Sequence, residues 1–151
     1  MAAYSMTGET TTHKGVSLKQ IKRNSDGKVG GYIESEENLS QDGTCWLHEK
    51  SVCYGAAKVT DDAQIFGDVH DNATVSGSAT VQGQVYGNAT VTESAVINGR
   101  AFDEAVVKEH AQIFDKAFGN AVVEGHVTVF GRVFGTAHLA GNETIMGERS
   151  S

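Results

Sequence analysis

The chain has 151 residues and a net charge of −7, from 12 Lys and Arg against 19 Asp and Glu. That balance argues against direct nucleic-acid binding, because phosphate contacts need clustered Lys and Arg. No run of about 18 apolar residues offers a membrane span. The polar stretch Met1–Lys14 lacks the apolar segment of a secretion signal, so a soluble, cytoplasmic protein is expected.

Residues 1–44 read as an N-terminal tail and capping segment, and residues 45–151 as a solenoid domain. In the first segment Val16, Leu18 and Ile21 suggest one short strand, followed by a turn at Asn24-Ser25-Asp26-Gly27. Further on, Tyr32, Ile33, Leu39 and Trp46 are the apolar anchors. A repeat array needs a cap that covers its first coil and blocks edge-to-edge pairing, and this segment is the candidate. Cys45 and Cys53 fall at inward positions, where cysteine behaves as a small hydrophobe. Their spacing offers no zinc ligand set, and without a secretion signal no disulfide is expected.

From Ala57 the chain repeats every 16 residues. Blocks opening at Ala57, Ala73, Ala89, Ala105, Ala121 and Ala137 carry Val or Leu at the third position and Ile or Val at the ninth. Self-similarity at a fixed period marks a repeat architecture. Within a block apolar and polar residues alternate, which is the period of a strand with one buried face. After three such residues comes Gly, Asp, Asn or Ser, types that tolerate positive φ or bond their own backbone. Three short strands and three corners then close one triangular coil, and the next coil stacks on it about 4.8 Å away. The predicted fold is all-β, a single-stranded parallel β-helix of about six 16-residue coils behind an N-terminal cap.

The core follows from the same pattern. Small residues at positions one and seven, such as Ala105 and Ala111, share each layer with branched ones at three and nine, because a narrow prism has no room for two large side chains per strand. Val69, Val85, Ala101, Ala117 and Val133 supply the third inward wall. Asn72, Asn88 and Asn120 recur at one corner, where stacked amides are expected to bond along the axis. Near the end, Glu143 and Arg149 take inward positions, a way to blunt an open edge.

The run Gly30-Gly31-Tyr32-Ile33-Glu34, then Glu36, Asn38-Leu39-Ser40 and Gly43-x-Cys45-Trp46-Leu47, resembles the opening motif of the YdcK-type β-solenoid family. The repeats that follow are similar too, so the resemblance covers roughly residues 16–147. It implies a left-handed helix, where the general crossover preference is right-handed. It also implies an architecture related to hexapeptide acyltransferases, a trimeric habit, and short members that look phage- or prophage-borne. One side of each coil has four residues here, where hexapeptide enzymes have six.

Functional expectations from three classes follow. The preferred one is a non-enzymatic solenoid with no catalytic residue, metal or cofactor, which self-associates or binds a protein partner as a phage-encoded accessory, structural or host-interacting protein. The second is a hexapeptide-type acyltransferase acting on a small acceptor. The third is an acidic rod that mimics DNA toward a nucleic-acid-binding protein. The preference rests on a repeat without insertions, since solenoid enzymes place their chemistry on insertions. His110 and His126 share one corner position in adjacent coils but lack a third ligand, so they read as solvated. His13, His48, His70 and His138 show no partnering pattern in the sequence. An aromatic row at position fourteen runs His70, Tyr86, Phe102, Phe118, Phe134, with Val106 and Val122 across the corner and Phe114, Phe130 and Met146 in a second row. Read as outward, Phe102, Val106, Phe114, Phe118, Val122, Phe130 and Phe134 form the expected interaction surface of a homo-oligomer, a trimer by the habit the resemblance implies.

Overall fold

The computed structural model of the chain describes residues 2–151. Most of it is a parallel β-solenoid of about seven turns, each roughly 16 residues long. Three parallel sheets form the walls, built from the third, ninth and thirteenth positions of the blocks in that order around the coil. Like residues stack in register: Val75 on Val91, Val81 on Ile97 and Val85 on Ala101. Two-residue strands suffice because their N–H groups are satisfied by the next coil. The amide of Thr74 donates to the Ala89 carbonyl at 3.0 Å and that of Thr90 to Ala105 at 2.9 Å. Inside the prism, Ala89, Val91, Ala95, Ile97 and Ala101 of one coil are all fully buried. Each buried branched side chain contributes roughly 1.5–3 kcal/mol, so the stack is stabilised coil by coil.

The coil beyond the six expected lies in the lead-in. Leu39 sits beside Val59, Leu47 beside Ile65 and Cys53 beside Val69, offsets of 20, 18 and 16 residues. Extra residues at its first two corners take that coil out of strict period, which hides it from a repeat count. Asn38 locks it in place. Its buried side-chain oxygen accepts from the amides of Glu34 and Ser35, and its amide nitrogen donates to the carbonyls of Gly55 and Ala57. All four hydrogen-bonding positions of the carboxamide are thereby filled.

Ahead of it stand three longer strands, β1 (Tyr4–His13), β2 (Val16–Arg23) and β3 (Val29–Ile33). They run antiparallel to one another, and β3 then pairs in parallel with Val52–Cys53, extending the third wall into a ten-stranded sheet. The anticipated strand is β2, whereas β1 has no counterpart in the sequence reading. Tyr4, Ile21 and Ile33 close the core from this side, and the Tyr4 hydroxyl donates to the Leu39 carbonyl at 2.6 Å. Burial, with the Glu36 charge nearby, pushes that phenol well above its usual range.

At the other end the inward-register charges Glu143 and Arg149 face each other at 3.8 Å across the last coil. The asparagine ladder takes a different form from the one expected: Asn88 donates to Glu104 at 2.8 Å instead of to another amide. Both cysteines are free and buried. Desolvation pushes the Cys45 thiol up to about 11 and the Cys53 thiol higher still, so both are core residues and poor nucleophiles.

Candidate functional site

Position fourteen of each block follows an inward residue and precedes a corner, so its side chain lies on the outer surface at the edge of the third wall. Identical spacing from coil to coil stacks these rings into one column. Tyr54, His70, Tyr86, Phe102, Phe118 and Phe134 follow each other with centroid distances of 5.0 to 5.1 Å and interplanar angles of 8° or less. Offset-stacked rings at this separation attract by about 0.5–1.5 kcal/mol per pair. Each ring covers its neighbour's face, so Phe102, Phe118 and Phe134 are half-buried, as are Val106 and Val122 across the corner. Of the residues anticipated as an interaction surface, Phe114 and Phe130 are the exposed ones, at 42% and 48%, and they stack on each other at 4.8 Å. Met146 continues that row at 74% exposure.

The column also organises a histidine that the sequence reading left without a partner. His70 is held between the rings of Tyr54 and Tyr86. Its Nδ1 lies 3.2 Å from Oδ1 of Asp71, whose Oδ2 accepts the Gly87 amide at 3.1 Å. Burial raises the Asp71 carboxyl, but the His70 hydrogen bond, the Gly87 amide and the charge of Lys14 outweigh it and leave the group below the usual carboxylate range. The tip of the β1–β2 hairpin completes the cluster. The His13 ring meets Tyr54 edge-on at 5.4 Å, and its Nε2 is buried with no hydrogen-bond partner among the described residues. An imidazole tied through one nitrogen to an oriented carboxylate keeps the other nitrogen for proton transfer, which is the arrangement of a general base.

Other histidines are placed as follows. His138 Nε2 meets the Glu124 carboxylate, whose pKa is lowered first by that hydrogen bond and then by Lys108. His48 stacks on Phe66 at 4.0 Å and bonds Gln64 at 2.8 Å. His110 and His126 stack at 4.8 Å and are exposed. Among the described residues no group of three or more His, Cys, Asp or Glu could hold a metal ion, and no helix is long and apolar enough to cross a membrane.

His70 was visible as a member of the aromatic row, and Asp71 as a corner residue. Their pairing depends on the left-handed backbone of Asp71, with φ of 61°, which turns the side chain back toward the ring. A motif search has no spacing to catch there.

The YdcK β-solenoid repeat matches residues 84–99. A protein named "Uncharacterized acetyltransferase YdcK", from Escherichia coli (strain K12), is 35% identical over 66 residues. The match covers 39% of this chain and 20% of that protein, so the chain aligns with about a fifth of its relative's length. The name overturns the expectation of a non-enzymatic solenoid and leans toward acyl transfer. That expectation rested on the absence of inserted loops, yet a single uninterrupted coil is enough to hold a histidine–carboxylate pair at His70 and Asp71. Matched repeat, relative and architecture agree with the resemblance carried by the opening motif, and the chain is a β-solenoid similar to the YdcK type.

Proposed function

We propose that this solenoid transfers an acyl group from a thioester donor to a small acceptor, with His70 as the general base and Asp71 as its positioning residue. The observation that carries the reading is the His70–Asp71 pair fixed within the aromatic column, and the relative's name supports it. In this role Asp71 holds the imidazole orientation, while the free ring nitrogen takes the proton of the attacking acceptor. The purified protein is incubated with an acetyl thioester and a panel of small amines and alcohols, and thiol release is followed. His70→Gln is expected to lower acceptor-dependent release about 100-fold or more with an unchanged melting temperature, and Asp71→Asn to lower it less. Acceptor-dependent release that survives in His70→Gln removes the assignment.

A second reading concerns assembly. The exposed row of Phe114, Phe130 and Met146 supports self-association along that corner, with a trimer as the expected assembly. Replacing Phe114 and Phe130 by Gln is then expected to shift light scattering to the monomer mass at micromolar concentration. An unchanged mass places the contact elsewhere.

A further inference from the structure

The outer face of the third wall carries a row of charges. Its twelfth positions stack directly, Asp68, Gln84, Arg100, Lys116, Arg132 and Glu148 in succession. Three cations on consecutive rungs, about 4.8 Å apart, repel one another. Arg132 is relieved by Glu148 at 2.7 Å, but among the described residues Arg100 and Lys116 form no ion pair. Arg100 and Lys116 thus form an unpaired basic stretch in a chain of net charge −7, complementary to an acidic surface.

The same molecule carries one. Glu93 and Glu109 stand exposed at the corner between the first and second walls, where an open groove is also lined by Ser94, His110, Gly125 and His126. Around a three-walled coil that corner lies across the prism from the third wall. Glu93 belongs to the same coil as Arg100, and Glu109 to the same coil as Lys116.

We propose that the third-wall face of one copy receives the Glu93–Glu109 corner of a second copy lying parallel beside it, with Arg100 against Glu93 and Lys116 against Glu109. Two rods side by side at equal height match both pairs at once, which a neighbour staggered by one coil does not. A single-stranded nucleic acid fits this face poorly. Such ligands stack bases on open aromatic faces, and the faces of Phe102 and Phe118 are already covered by each other. Face and corner point in opposite directions, so the contact is heterologous and extends as a row without closing into a ring. Two coils below Arg100, Asp68 would meet Asp61 and Asp62 of the neighbour, a like-charge clash that weakens the contact at that end. The inference is independent of the acyl-transfer reading.

Sedimentation velocity of the full chain tests it. Wild-type protein is expected to form concentration-dependent species at low ionic strength that dissociate in about 0.5 M salt, where charges are screened within a few ångströms. The double variants Arg100→Glu/Lys116→Glu and Glu93→Lys/Glu109→Lys are each expected to lose this association. Mixed in equal amounts they are expected to regain it, because the acidic face and corner of the first match the basic ones of the second. Asp68→Lys is expected to carry association to higher salt. Circular dichroism melts check that each variant is folded, and any assembly through Phe114 and Phe130 is set apart by its insensitivity to salt and to these charges. Wild type showing no salt-sensitive association, either folded double variant associating like wild type, or a folded mixture that stays apart overturns the proposal.

Discussion

Asp61, Asp71, Asp103 and Glu109 all hold positive φ, between 58° and 61°, a conformation that costs a non-glycine residue roughly 1–3 kcal/mol. Each carboxylate offsets that cost by accepting an amide from the glycine one coil above: Gly77, Gly87, Gly119 and Gly125, at 2.6 to 3.1 Å. An acid followed by a glycine one coil above therefore recurs along these corner rows for a reason that lies between coils. Asp103→Ala loses the bond and keeps the strained backbone, whereas Asp103→Gly loses the bond and relieves the strain. Urea melts are expected to show a loss on the order of 1–2 kcal/mol for Ala and less than half of that for Gly. Alanine tolerated better than glycine contradicts this view of the corner. Reading the sequence identified these residues as corner formers but merged two kinds of glycine. Gly87 has φ of 65° and needs conformational freedom. Gly83 has an ordinary backbone and needs space instead, because a Cβ there would run into the carbonyl of Gly99. Only the stacked neighbour separates the two cases.

At the level of elements, the cap departs most from what periodicity shows. β2 announces itself through Val16, Leu18 and Ile21, of which Leu18 and Ile21 are buried. β1 is mostly exposed and threonine-rich, so it presents no buried face to read. The turn between β2 and β3 is held by Arg23 and Asp26, whose side chains meet at 2.7 Å. The Arg23 hydrogen bond, followed by the Lys28 amide, lowers Asp26 from 3.8 to about 2. A carboxyl depressed on folding stabilises the fold fully above its unfolded pKa, and the contribution fades as pH falls through the folded value. The denaturant midpoint should therefore drop as pH falls from about 4 to about 2, by a small amount because the pair is exposed. Asp26→Asn should flatten that dependence, and a variant with the wild-type profile contradicts the assignment. The candidate site shares the limits of the cap, since it forms where the hairpin tip brings His13 onto Tyr54, beside His70. Contacts between a cap and a repeat have no period to betray them.

For the whole molecule the repeat carries nearly all of the architecture. Wall residues and the small and branched layers follow from counting in sixteens, while the lead-in coil escapes because its corners are longer. Which outward rows are truly open was less visible. The position-fourteen rings consume one another's faces, whereas Phe114 and Phe130 stay exposed. Every surface assignment, from the His70–Asp71 pair to the charge row, rests on one register that sends alternate residues inward. Ala105 is fully buried in that register, while Thr90 points outward and is half-buried. Equilibrium urea unfolding of Ala105→Leu and Thr90→Leu tests it most directly. Overpacking the prism at Ala105 is expected to cost on the order of 1–3 kcal/mol, and the change at Thr90 to stay within about 0.5 kcal/mol. Equal losses for the two variants would contradict the register and every surface built on it.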